Sequence, residues 1–145
     1  MSEDLAAMLN QQLGGWNTAM GLTLKTATEE LVVGELTVGP QHLQPYGIVH
    51  GGLHCGIIEA ACSTGAAVHA MARGMSVVGL ENATSFIRAA REGLIRVTAR
   101  PVTRGRRTQV WEAVVTDADG RTLSTGRVRL MCLEGGVELA GKAVG

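Results

Sequence analysis

Glu59 is the one formally charged side chain in the 37 residues from Leu36 to Ala72. A lone carboxylate taken out of water costs several kcal/mol unless it is paired, hydrogen-bonded or protonated. A segment that discards every other charge and keeps this one marks Glu59 as a candidate base or nucleophile. The bland reading is a satisfied polar residue facing a solvent-filled groove. Ser63 follows one helical turn later on the same face, where its hydroxyl could orient the carboxylate or a water.

Upstream, the run Gly47, Ile48, Val49, His50, Gly51, Gly52 leads into a segment whose apolar residues predict a buried helix from about Gly51 to Ala72, closed by Arg73 and Gly74. Two glycines at a helix start let a ligand approach bare backbone N–H groups, and the positive end of the helix dipole favours developing negative charge. An oxyanion is held in this way during acyl transfer. Gln44, in the loop before, offers an amide for a substrate carbonyl. Gly51 and Glu59 lie eight residues apart on this helix, about 12 Å along its axis. One carbonyl cannot reach both at about 3 Å, so if both serve one substrate they come from two subunits, and an antiparallel homodimer with composite sites is expected. His50 and His54 invite a metal reading, but no third ligand follows at suitable spacing and His42 lies in a loop expected to be flexible, so no metal is expected. Cys55 and Cys62 read as small apolar residues of the helix.

Around this helix the pattern predicts a short amphipathic helix over 2–13, capped by Ser2 and stopped at Gly14 and Gly15. Strands are expected at about 20–27, 30–38, 76–88, 94–103, 107–116 and 122–132, with a hairpin turn from Asp117 to Gly120. The links after residue 76 are too short for crossovers, so the sheet should be antiparallel. The expected fold class is α+β, an antiparallel sheet of about six strands wrapped around one central helix. The domain reading is an N-terminal helix and linker over 1–19, one domain over 20–133 and a loose tail over 134–145.

The chain has 145 residues, 46% hydrophobic and 18% charged with a net charge of zero, which excludes disorder and a strongly basic nucleic-acid module. Its aromatic residues, Trp16, Tyr46, Phe86 and Trp111, are too few for a base-stacking platform. The zero is a sum of unequal halves: residues 1–72 hold six acids and one base, residues 73–145 seven acids and twelve bases, among them every Arg. Three cysteines without framework spacing suggest reduced thiols, and the acidic N-terminus lacks a secretory pattern, so a cytoplasmic protein with no membrane span is expected.

The run from Gln44 through His50, Gly51 and Glu59 to Ser63 resembles the signature of the hotdog-fold acyl-CoA thioesterases. It is most similar to the 4-hydroxybenzoyl-CoA thioesterase branch, which carries Glu on the central helix; the related phenylacetate-pathway type usually has Asp there and Asn at the position of Gln44. The resemblance extends weakly through Ser76–Arg88, Gly93, Arg104–Arg107 and Asp117–Arg121. It implies a hotdog fold and hydrolysis of an acyl-CoA thioester with an aromatic or medium-chain acyl group. Glu59 would attack the thioester carbon or activate water, and the Gly51 N–H would polarise the thioester oxygen. Gln44 would position the acyl end, His50 shape the loop and Ser63 assist. Arg88, Arg106 and Arg107 would meet the pantetheine arm or the nucleotide phosphates. The sequence departs from the pattern at Ala89 and Ala90, where Pro-Val is common, and at Arg106 and Arg107, where the nearest branch has small hydroxyl residues. The resemblance implies no separate cofactor, CoA being part of the substrate, and dimers paired into a tetramer. A non-catalytic acyl-CoA binding module is the alternative, and dehydration of a hydroxyacyl thioester ranks below both.

Overall fold

The structure, a computed structural model, describes residues 2–144. The first helix is shorter than the span expected for it. Asp4 Oδ1 accepts from the N–H groups of Ala6 (3.0 Å) and Ala27 (2.9 Å), which ties residues 2–5 to the neighbouring strand. Helix α1 (Ala6–Asn10) therefore starts after Leu5, and Ser2 is not its cap. Gly14 and Gly15 do more than stop it. With φ of 59° and 47° they turn the chain into a second helix, α2 (Gly15–Met20), which Gly21 ends in a left-handed conformation at φ 77°.

Strands β1 (Thr23–Ala27) and β2 (Val32–Val38) form a hairpin, and a loop with a 3-10 turn at Pro40–His42 leads to helix α3 (Gly51–Met71). Four strands follow: β3 (Ser76–Phe86), β4 (Gly93–Arg104), β5 (Thr108–Asp117) and β6 (Thr122–Leu133). All pairings are antiparallel and the order across the sheet is β1-β2-β4-β5-β6-β3, which leaves β3 as an edge. This is the hotdog arrangement. Residues read as a loose tail carry a small hairpin, β7 (Glu138–Leu139) with β8 (Lys142–Ala143).

The inner face of the sheet packs on α3, where Ile57, Ile58, Ala61, Cys62 and Ala66 meet Val97, Ala99, Val115, Val128 and Leu130 in one buried cluster. The helix is not enclosed on all sides, as its apolar composition suggests; the face carrying Glu59, Ser63 and Thr64 lines an open cavity. Gly65 makes the closest approach to the sheet. A Cβ there would stand 2.4 Å from the fully buried ring of Trp111. The indole N–H donates to Gln109 Oε1 (2.9 Å) and Gln109 Nε2 donates to the Ala66 carbonyl (3.1 Å), so the ring cannot retreat without breaking buried hydrogen bonds. On the outer face Arg96 pairs with Glu35 (2.7 Å) and Arg127 with Glu112 (3.5 Å), and in the β5–β6 turn Arg121 pairs with Asp117 (2.8 Å), so part of the Arg-rich half is solvated surface. No helix among the described residues is long and apolar enough to cross a membrane.

Gly65→Ala should destabilise the chain by about 1–3 kcal/mol through overpacking against Trp111. Urea denaturation checks this, and a midpoint equal to that of the parent would contradict the packing described.

Candidate functional site

Glu59 is half-buried in the middle of α3, on the wall of a cavity of about 780 Å³. Each carboxylate oxygen accepts one hydrogen bond: Oε2 from the Ser63 hydroxyl (3.1 Å) and Oε1 from Asn82 Nδ2 (3.1 Å). Asn82, on β3, is itself oriented. Thr84 Oγ1 donates to its Oδ1 (2.7 Å), which turns its NH2 toward the helix, where it also reaches the Cys55 carbonyl (3.1 Å). Gly79 gives the carboxylate room, since a Cβ there would stand 2.7 Å from Oε2. Asn82, Thr84 and Gly79 were not among the residues singled out by sequence. A signal was present: Asn is disfavoured in strands, and Asn82 and Thr84 alternate onto the helix-facing side of β3, which should be apolar.

The start of α3 forms a second, smaller cavity of about 390 Å³, lined by Gln44, Val49, Gly51, His54, Phe86 and Arg88. His50 is the N-cap residue, and its Nδ1 accepts from the Gly52 N–H (2.7 Å). The Leu53 N–H bonds the His50 carbonyl (2.9 Å), and the Gly51 N–H has no partner among the described residues. The cap thus occupies its neighbours and leaves that donor for a ligand. The exposed ring of Phe86 lies against Gly51, where an added Cβ would come within 2.9 Å of it. Gln44 Oε1 accepts from the Tyr46 N–H, which leaves the amide NH2 as the group it can offer.

The loop carrying these groups is pinned on both sides. The Val49 N–H donates to the Ala90 carbonyl (2.8 Å), and Arg91 Nη1 donates to the carbonyls of Tyr46 (3.0 Å) and Gly47 (3.1 Å). The His50 N–H donates to the His42 carbonyl (2.8 Å). His42 is no flexible-loop residue: it is buried, its Nδ1 accepts from the Gly39 N–H (2.9 Å), and its Nε2 therefore carries the proton that reaches the Met20 carbonyl (2.8 Å). His54 is also buried, with Nδ1 2.8 Å from Ser124 Oγ. Among the described residues no group of three His, Cys, Asp or Glu could hold a metal ion. Burial pushes the Cys62 thiol up, with the Glu59 carboxylate adding to the effect, so Cys62 is a buried thiol rather than a nucleophile.

The structure does not bring all the sequence-selected residues together within one chain. Glu59 and Ser63 line the larger cavity, while Gln44, Gly51 and Arg88 line the smaller. The exposed Arg106 and Arg107 lie in the β4–β5 turn and line neither. The Arg107 carbonyl accepts from Cys132 N–H, beside the start of β3, whereas Arg88 follows its end. The eleven residues of β3 put roughly 33 Å between the two places.

Comparison with known proteins follows the same lines. The profile of the thioesterase superfamily matches residues 46–124. A Mycobacterium tuberculosis protein named as an esterase, Rv1847, is 37% identical over 135 residues, covering 92% of this chain and 96% of that one. Its solved structure superposes with a TM-score of 0.81. AziG of S. sahachiroi is 36% identical with a TM-score of 0.81, covering 84% of this chain and 98% of that one. The proofreading thioesterase EntH of Cronobacter sakazakii is 30% identical over 124 residues, covering 86% of this chain and 90% of its own.

Burial pushes the His54 imidazole below its ordinary value of 6.5, so the unfolded chain takes up a proton there before the folded chain does. Its contribution is full above pH 6.5 and is lost as pH falls below that value, at no more than about 1.4 kcal/mol per unit. Urea midpoints at pH 7.5 and 5.5 should differ less in His54→Gln than in the parent; an unchanged difference would contradict the assignment.

Proposed function

We propose that this chain, which belongs to the thioesterase superfamily, is a thioester hydrolase acting on acyl-CoA, with Glu59 as the carboxylate that attacks the thioester carbonyl carbon or removes a proton from the attacking water. The observation that carries the reading is the clamp of Ser63 and Asn82 on the two oxygens of Glu59, at the wall of the larger cavity. A carboxylate held in this way is pre-aligned, which lowers the reorganisation needed at the transition state.

In the water route a C–O bond forms to the carbonyl carbon, the water proton passes to Glu59, and the electron pair moves onto the carbonyl oxygen. On this reading the Gly51 N–H and the Gln44 NH2, which line one cavity, stabilise that oxygen, aided by the positive end of the α3 dipole. Collapse of the intermediate breaks the C–S bond and releases the thiolate, which is protonated from Glu59 or solvent. No separate cofactor enters these steps, and His50 acts by capping the helix start.

The site is read as composite. Glu59 and Gly51 line different cavities and are held about 12 Å apart by one helix. The exposed β3 edge, with Leu80, Phe86 and Ile87 open to solvent, is the surface on which a second copy would add. Antiparallel pairing there would set Gly51 of one subunit toward Glu59 of the other. It would also bring Arg106 and Arg107 of one beside Arg88 of the other, closing the roughly 33 Å gap around the phosphates of one CoA. Pairing of two such dimers into a tetramer, and a cytoplasmic setting with reduced thiols, belong to the same reading.

Glu59→Ala should lower turnover of acyl-CoA thioesters by at least a hundredfold, about 2.7 kcal/mol of barrier. Asn82→Ala should lower kcat several-fold with little change in KM, because it misaligns the carboxylate without touching the thiol end. Following free-thiol release from benzoyl-, phenylacetyl- and fatty acyl-CoA tests both. Glu59→Ala turnover within about tenfold of the parent would sink the assignment, and tight binding without thiol release would favour a binding module.

A further inference from the structure

We propose that the acyl group is a straight, uncharged chain lying lengthwise along α3, with the N-terminal helices as its outer wall. The inference rests on the thioester reading above and names the substrate class of that site. The cavity beside Glu59 is not a compact pocket. It follows one face of α3 from Gly52 to Met71, and its other side is built by Leu9, Gln12, Leu13 and Trp16 of the N-terminal segment together with Val77 of β3. Those N-terminal residues precede the stretch matched by the family profile, so this wall is contributed by a part of the chain outside it. Trp16 and Met20 lie against Gly56, where an added Cβ would come within 3.0 Å of the indole nitrogen and 2.8 Å of the Met20 sulfur. The α2 end of the wall is thereby seated on the helix.

The chemistry of the cavity is uneven along its length. Among the described residues Glu59 is the one charged side chain on it, so nothing there matches an acyl carboxylate or the phosphates of a nucleotide. In the composite site described above the thiol end leaves toward the second copy, whose Gly51 and Arg88 line the other cavity, so the acyl group is left the groove along α3. Beyond Glu59 the wall carries Ala60, Ala67, Val68, Met71, Leu9 and Leu13. The Thr64 hydroxyl is spent on the Ala60 carbonyl (2.7 Å) and that of Ser63 on Glu59 (3.1 Å), so the α3 side beyond Glu59 offers a polar acyl substituent few partners, the amides of Gln12 and Asn17 standing on the N-terminal wall.

Size separates a chain from a ring. From Glu59 to Met71 the helix advances about 18 Å. A zigzag carbon chain advances about 1.25 Å per bond, given a C–C length of about 1.52 Å, so the groove accepts about 12–14 carbons. A benzoyl group would occupy only its first third. Each methylene withdrawn from water should raise kcat/KM by up to about fourfold until the groove is full. Met71 is 51% exposed, so the far end opens to solvent and the preference should level off rather than cut out.

The test is a kcat/KM series over straight-chain acyl-CoAs from about 4 to 16 carbons, with benzoyl-CoA beside it, for the parent and for Ala67→Phe, which puts a ring across the groove. The parent should rise with length to a plateau near 12 carbons and exceed benzoyl-CoA. Ala67→Phe should lower the ratio of dodecanoyl to butanoyl kcat/KM by at least about tenfold; a ratio does not depend on the fraction of folded enzyme. Leu13→Phe, from the opposite wall, should act in the same direction and serves where Ala67→Phe does not fold. A flat or ring-preferring profile in the parent overturns the chain reading and leaves thioester hydrolysis standing, and so does a length profile that neither variant shifts. A change in oligomeric state by light scattering, with the length profile unmoved, assigns the groove to a second copy and overturns the proposal. Absence of hydrolysis for every thioester removes the parent reading and this one with it.

Discussion

A rigid helix spaces its residues at about 1.5 Å each, and that spacing holds Gly51 and Glu59 about 12 Å apart in α3. The rest of the site is organised around this distance. The proposed oxyanion donor sits at the helix start, where a cap residue occupies the next N–H and leaves Gly51 unpartnered among the described residues. The carboxylate sits two turns on, on the face of the helix that the sheet does not cover, where β3 supplies Asn82 as a clamp. Neither group can migrate toward the other without unwinding a helix packed on all six sheet strands or breaking the Gly65–Trp111 contact. Catalysis at a single carbonyl therefore points to an assembly in which the far ends of two helices meet.

Much of this was legible in the chain. The helix was bounded to within a residue because a long stretch carries one charge, opens on two glycines and closes at Arg73 and Gly74. The strands after Ser76 were legible from alternation, and the Asp117 to Gly120 turn from its composition. Glu59 and Ser63 were legible because their relation is local, one turn of helix. What was not legible depends on partners distant in sequence. Asp4 sets the start of α1 through an N–H 23 positions away, and His42 turns from a loop residue into an anchor through the Met20 carbonyl. Asn82 becomes part of the site by reaching back 23 positions to Glu59. A periodicity reading sees only an odd polar residue in a strand.

The uneven halves of the neutral chain also take on a meaning. The first half is poor in charge because it builds α3, the loop before it and the apolar wall from Leu9 to Trp16. The second half spends several of its Arg residues on carboxylates of neighbouring strands, as Arg96 does on Glu35 and Arg127 on Glu112. Arg91 holds the loop before α3 through two carbonyls. Among the Arg residues described, Arg88 alone lines the cavity at the helix start. The division of labour is thus finer than one basic half facing one phosphate group.

Subunit complementation tests the composite site most directly. Gly51→Pro removes the proposed oxyanion N–H at a first-turn position whose backbone accepts proline, preceded by a residue already in the extended region, with the exposed Phe86 ring shifting to clear the added Cβ. Glu59→Ala removes the carboxylate. Each homodimer should be inactive, and dimers mixed from the two carry one site with both groups intact, so refolding them together should restore about a quarter of parental activity, one intact site in half of the dimers. Verified mixed dimers without recovered turnover would contradict the account.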